Sequence, residues 1–98
     1  MKGAKISRET IISRQDGIIS SDLEGEKAMM SIKRGKYYCL NGVGSSIWEL
    51  LARPITIQEL MDELMKEYQV EEETCLRDVS LFLNKMHREG IICLDEQD

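Results

Sequence analysis

The feature that most constrains the fold of this chain is a change of hydrophobic periodicity near residue 41. Before it, apolar residues form short runs or alternate with polar residues, as in β-strands. After it, they recur every three or four residues, as on one face of an α-helix. The pattern predicts an α+β domain in which strands precede three helices. A chain of 98 residues has room for a single domain, which we expect to span 1–98 with a core over about 12–94.

Glycine-containing turns divide the first part of the chain into short strands. The loop Lys33–Gly35 predicts a hairpin in which Gly35 takes the left-handed conformation. A three-residue loop pairs Met30 with Tyr38, and it places Tyr38 and Leu40 on the buried face. In that register, the same face also carries Ala28, Met30 and Ile32. The predicted strand segments lie near residues 6–12, 18–21, 27–32 and 36–40.

Capping and breaking residues divide the second part into three helices. Asn41 is expected to cap the first helix, which ends before Arg53-Pro54. Thr56 and Glu59 form a capping box that starts the second. The third helix, 72–89, begins with acidic residues and stops at Gly90. A short apolar segment, 91–94, closes the chain. This order predicts a winged helix-turn-helix domain with a three-stranded antiparallel sheet.

The net charge of −5 is unevenly distributed, with +2 over residues 1–49 and −7 over residues 50–98. Binding to nucleic acid or to an anionic membrane depends on Lys and Arg, so the acidic second half disfavours both. No apolar run approaches the roughly 20 residues that a membrane span needs. No signal-peptide core follows the N-terminus, and we therefore expect a cytoplasmic protein.

Catalytic and metal-binding motifs are absent from the sequence. Cys39, Cys75 and Cys93 are widely spaced with no C-x-x-C pair, and His87 is the single histidine. A zinc site needs four clustered ligands, and a nucleophilic cysteine needs an adjacent base. We expect no enzyme activity, no metal and no cofactor, with the cysteines acting as small apolar residues.

Two functions remain open for a winged-helix outline. A DNA-binding transcriptional regulator would insert the third helix into the major groove, where Glu72 and Glu73 would face a polyanion. A peptide-binding module would use Lys36–Leu40 as a free edge for one added strand, with the third helix as the second wall. Val79, Phe82 and Met86 on that helix also fit a plain core stripe. We favour the peptide binder and keep the DNA regulator as the alternative.

The run from Arg34 to Leu51, RGKYYCLNGVGSSIWELL, resembles the centre of the PqqD-like family. Weaker similarity continues through the second and third helices to Gly90–Ile92. The resemblance implies a RiPP recognition element, a winged-helix module that binds the leader segment of a ribosomally made precursor peptide. Cys39 stands where family members often have a small residue such as glycine.

The resemblance also implies a site and a partner. In the family, the leader adds as a strand beside the strand that corresponds to Lys36–Leu40 and packs against the third helix. A free-standing chain of this size is similar to members from lasso-peptide gene clusters, which deliver the precursor to a separate transglutaminase-like cysteine peptidase. Carried over to this sequence, the leader-binding residues are Lys36, Tyr37, Tyr38, Cys39, Leu40, Cys75, Asp78, Val79, Phe82, Lys85 and Met86.

Overall fold

The computed structural model describes residues 6–24, 26–40 and 42–95, which contain six strands and three helices. The α+β winged-helix arrangement predicted from the sequence is confirmed. None of the described helices is long and apolar enough to cross a lipid bilayer. The elements are β1 (Ile11–Arg14), β2 (Ile18–Leu23), β3 (Glu26–Ser31), β4 (Lys36–Leu40), α1 (Val43–Leu50), β5 (Ile55–Thr56), α2 (Ile57–Glu67), α3 (Glu72–Arg88) and β6 (Ile92–Asp95).

The strands form two three-stranded antiparallel sheets. The first is the expected meander β2-β3-β4. In the second, β1 lies between β5 and β6, so that Ile12 is opposite Ile55 on one side and Leu94 on the other. The sequence predicts extended segments at β1 and β6 but does not predict their pairing, because residues far apart in the chain form it.

The register of the β3–β4 hairpin differs from the predicted register by one residue. The loop has four residues, Ile32–Gly35, and the N–H of Gly35 donates to the carbonyl of Ser31 over 2.8 Å. Gly35 has the expected left-handed conformation, with φ of 63°. Met29 rather than Met30 lies opposite Tyr38, and a one-residue shift moves every β3 side chain to the other face. Tyr38 and Leu40 therefore share the inner face with Lys27, Met29 and Ser31, whereas Ala28 and Met30 lie on the outer face and Ile32 is exposed in the loop.

The observed register buries Lys27, which is 6% exposed, and two carboxylates compensate its charge. The amine lies 2.5 Å from Asp22 on β2 and also pairs with Glu49 on α1. Hydrogen bonds to Asp22 and Glu49 raise the pKa of Lys27. A buried charge is tolerated where it is paired in this way, and the Glu49 contact ties the sheet to α1.

The helix boundaries largely follow the predicted signals. The Thr56 hydroxyl accepts from the N–H of Glu59 at 3.1 Å, and the Glu59 carboxylate accepts from the N–H of Thr56 at 3.1 Å, which confirms the capping box. Gly90, with φ of 77°, follows the end of α3 as expected. The predicted cap Asn41 lies outside the described residues, and Gly42 occupies the N-cap of α1.

The core lies between the apolar faces of the helices and the inner faces of both sheets, with Met29 and Leu40 from the first sheet and Ile12, Ile55 and Ile92 from the second. Ile57, Leu60 and Leu83 are fully buried in it. The second sheet is joined to α1 by Arg14, whose guanidinium lies 4.2 Å from the ring centre of Trp48 and donates to the Trp48 carbonyl over 2.6 Å. This contact fixes the second sheet against α1.

Candidate functional site

The first component of the site is β4, an edge strand of five residues. β4 pairs with β3 on one side, and within the described residues no strand pairs with its other side. The strand is about 17 Å long at roughly 3.4 Å per residue. An exposed edge presents backbone N–H and C=O groups that pair readily with an added strand.

The second component is α3, whose C-terminal end is tied to the middle of β4 and to the hairpin loop that precedes it. The Tyr38 hydroxyl donates a hydrogen bond to Oε1 of Glu89 over 2.8 Å. Arg34, in the hairpin loop, donates to the Arg88 carbonyl over 3.2 Å and lies 3.9 Å from Glu89. We call Arg34, Tyr38 and Glu89 the hairpin latch. It fixes the distance between β4 and the C-terminal end of α3.

At the other end of β4, three elements meet around Gly44. A Cβ atom on Gly44 would lie 3.4 Å from the Phe82 ring and 3.6 Å from Leu40. Glycine at this position of α1 therefore allows the end of β4, the first turn of α1 and the middle of α3 to approach closely. The space between β4 and α3 is thus bounded by the hairpin latch at one end and by Phe82 at the other.

The third component is an apolar cavity of about 300 Å³ that continues from Phe82 between the three helices. Its size is at the lower end of the range for ligand pockets, which suits one large side chain better than a cofactor. The Tyr68 hydroxyl in its wall is already hydrogen-bonded to Ser46 at 2.9 Å. The lining residues are Val43, Gly44, Ile47, Leu64, Tyr68, Val70, Cys75, Asp78, Val79 and Phe82.

The charge states of the site follow from burial and from the latch. Burial, and then the negative charges of Asp78 and Glu72, raise the pKa of the Cys75 thiol. A thiol that stays protonated is an apolar wall residue rather than a nucleophile. Burial and the hydrogen bond to Glu89 raise the pKa of Tyr38, and the same hydrogen bond lowers the pKa of Glu89.

The predicted site residues lie on β4 and α3 but differ in exposure. Leu40 and Met86 belong to the hydrophobic core, being 8% and 4% exposed. Their side chains therefore hold β4 and α3 in place and are not free to contact a ligand. The side chains of Tyr37 and Cys39 lie on the outer face of the sheet, opposite to Tyr38. Tyr38 and Phe82 are half-buried, Cys75 and Val79 are buried in the cavity wall, and Lys36, Tyr37, Cys39, Asp78 and Lys85 are exposed.

Sequence reasoning missed the residues that shape the site from other elements. Arg34 and Glu89 of the latch were not predicted, because no local pattern links a hairpin loop to a helix 55 residues later. Val43 and Ile47 of the first helix also line the cavity. A glycine inside a helix, such as Gly44, is a usable signal of close approach.

The cysteines and acidic residues of the site form no metal centre that the structure describes. Over residues 6–24, 26–40 and 42–95, no three His, Cys, Asp or Glu side chains lie close enough together to hold a metal ion. Cys39, Cys75 and Cys93 are free thiols. The site can therefore bind a ligand through backbone hydrogen bonds from the edge of β4 and through apolar side-chain contacts in the cavity.

The family model of coenzyme PQQ synthesis protein D (PqqD) matches residues 26–92, from the start of β3 to the start of β6. The chain belongs to the PqqD family. The matched region of this PqqD chain includes β4, α3 and every residue that lines the cavity. No curated protein matches the chain.

Two solved structures resemble the chain over most of their length. One is TbiB1 in complex with the TbiA(beta) leader peptide, which is 29% identical with a TM-score of 0.74 and covers 82% of this chain and 93% of its own. The other is lasso peptide synthetase B1 complexed with the leader peptide, which is 17% identical with a TM-score of 0.69 and covers 84% and 96%. At 17% identity, the second likeness supports the fold alone.

Proposed function

We propose that this chain is a noncatalytic module that binds the leader segment of a ribosomally made precursor peptide, of the lasso-peptide type. The observation that carries the proposal is that α3 lies beside the edge strand β4, with Phe82 of the cavity wall and Leu40 of β4 both close to Gly44. Membership of the PqqD family and the likeness to TbiB1, which was solved with a leader peptide, support it.

In the proposed complex, the leader adds as a fourth strand to the β2-β3-β4 sheet. Main-chain hydrogen bonds to Lys36–Leu40 would supply affinity that depends little on sequence. Specificity would come from side chains that reach Phe82 and the cavity, with Asp78 and Lys85 at the rim. Leu40 and Met86 would act indirectly, by holding β4 and α3 in place.

The proposal assigns removal of the leader to a separate cysteine peptidase of the transglutaminase-like type. Cys75 is buried with a raised pKa, and it is therefore poorly suited to act as a nucleophile. The chain would hold the precursor while the peptidase cuts it. Because precursor peptides are made on ribosomes, the proposal places the protein in the cytoplasm.

The alternative, a winged-helix DNA-binding regulator, is favoured by the basic hairpin tip Lys33, Arg34 and Lys36. However, Arg34 is engaged with Glu89 and the Arg88 carbonyl. The first turn of α3 carries Glu72 and Glu73, where base contacts are usually made. The peptide-binding function is therefore the better supported of the two.

Calorimetry with a synthetic leader peptide tests the proposal. The probe is the leader, about 20 residues long, of a precursor to be identified among the genes that neighbour the gene for this chain; four or five of its residues are expected to pair with β4. We expect a Kd in the micromolar range or below, and only weak, salt-sensitive binding to a DNA duplex. No leader binding, together with a specific nanomolar DNA complex at physiological salt, would contradict the proposal.

A further inference from the structure

We call the space between β4 and α3, from the hairpin latch to Phe82, the groove. Positive charge collects at its latch end. Lys85 lies one helical turn before Glu89, and Lys36 lies on the same face of β4 as Tyr38, whose hydroxyl is bonded to Glu89. With Arg34, three cations therefore surround one carboxylate. This is a local excess of positive charge in a chain whose net charge is −5.

Two of these cations are available to a ligand. Glu89 is already engaged by the Tyr38 hydroxyl and lies 3.9 Å from Arg34. Lys36 and Lys85 are exposed, and neither forms an ion pair with any residue that the structure describes. The hydrogen bond from Tyr38 and the charges of Lys36, Arg34 and Lys85 lower the pKa of Glu89, and its single negative charge leaves the cluster with an excess of positive charge.

The opposite end of the groove has a different chemistry. Asp78 and Phe82 mark the mouth of the apolar cavity. Asp78 precedes Lys85 by seven residues, a distance of about 10 Å along the helix. An extended peptide covers about 10 Å in three residues. The groove therefore presents a cationic end and an apolar end that one short strand can reach together.

We propose, on the basis of the proposed function, that Lys36 and Lys85 select leader peptides with acidic residues about three positions away from a large apolar residue. The apolar side chain enters the cavity, and the carboxylates lie against the two lysines. The ligand class is thus a peptide that is apolar at one end of its strand-forming segment and acidic at the other.

Affinity measurements on charge-reversed variants test this proposal. The test variant carries Lys36→Glu and Lys85→Glu. The matched control carries Arg53→Glu and Lys66→Glu, which make the same charge change at exposed positions. These two residues line a different cavity, which shares no residue with the apolar cavity beside Phe82. The probe is the same leader peptide, labelled with fluorescein and used at two salt concentrations. Thermal unfolding of both variants checks that they are folded.

We expect the test variant to bind the leader at least about tenfold more weakly and with less dependence on salt, and the control to stay within about twofold. A leader in which Asp and Glu are replaced by Lys should recover affinity for the test variant. Unchanged affinity in the folded test variant would overturn the charge proposal and leave the proposed function standing. Absence of binding by the parent chain would overturn both. DNA binding that the test variant loses would assign the cations to nucleic acid instead.

Discussion

Replacing Phe82 with alanine is expected to weaken leader binding by at least about tenfold, or about 1.4 kcal/mol. Phe82 is half-buried and lies where the groove meets the cavity. Its ring packs beside Gly44 on α1. A half-exposed aromatic ring in a concave site is typical of a residue that dominates binding energy, because a ligand buries the remaining ring surface. Calorimetry with the synthetic leader measures the loss.

Leu81→Ala is the matched control for Phe82→Ala. Leu81 precedes Phe82 on α3 but is 66% exposed, and it does not line the cavity. Its removal should leave leader affinity within about twofold and stability within about 0.5 kcal/mol. Full burial of a phenylalanine makes its truncation cost about 3–5 kcal/mol, so the half-buried Phe82 should cost less, as urea unfolding will show. A folded Phe82→Ala variant with parental affinity would place the cleft elsewhere.

With the separate cysteine peptidase of the proposed function, addition of this chain is expected to lower the apparent KM for the precursor at least about tenfold with little change in kcat. Holding the leader near that peptidase would raise its local concentration, whereas the proposed function leaves the bond-breaking step to the peptidase. Steady-state cleavage of the precursor, with and without the chain, measures both constants. The chain by itself should leave the precursor uncut.

The Phe82→Ala variant links this kinetic prediction to leader binding. It should lose the effect on KM in proportion to its lost affinity, while Leu81→Ala should retain the effect. Cleavage by the purified chain that disappears in a Cys39→Ser, Cys75→Ser or Cys93→Ser variant would show that the protein is an enzyme. That outcome would contradict a noncatalytic role.

Local signals in the sequence predicted those parts of the fold that depend on neighbouring residues. The Thr56–Glu59 capping box and the glycines at 35 and 90 act within one turn of chain, and the structure confirms each. The recurrence of apolar residues every three or four positions likewise predicted that α2 and α3 are helices. These features depend on backbone geometry that a few residues determine.

Features that depend on distant partners were predicted less well. The hairpin register was wrong by one residue, because the loop has four residues rather than three. From sequence alone, a lysine such as Lys27 is expected at the surface. In the structure it is buried, because Asp22 and Glu49 pair with its charge. The second sheet joins β1 to strands about 40 and 80 residues away, which no local pattern encodes.

The candidate site shows the same division. An edge strand beside a helix was predicted from strand order and from the family resemblance, and the structure places β4 and α3 in that way. Exposure could not be predicted, because the helical stripe alone does not distinguish Met86 in the core from Phe82 at the cavity mouth. The latch between Arg34 and Glu89 required the tertiary structure.

Amide hydrogen exchange, measured residue by residue with and without the synthetic leader, tests most directly whether the peptide pairs with β4. β2 and β4 are the two edges of one sheet, so β2 serves as an internal control. We predict slower exchange in the complex at alternate residues of Lys36–Leu40, whose N–H groups face the free edge, and no change at Ile18–Leu23. Protection at Ile18–Leu23 without protection at Lys36–Leu40 would contradict the proposed mode of binding.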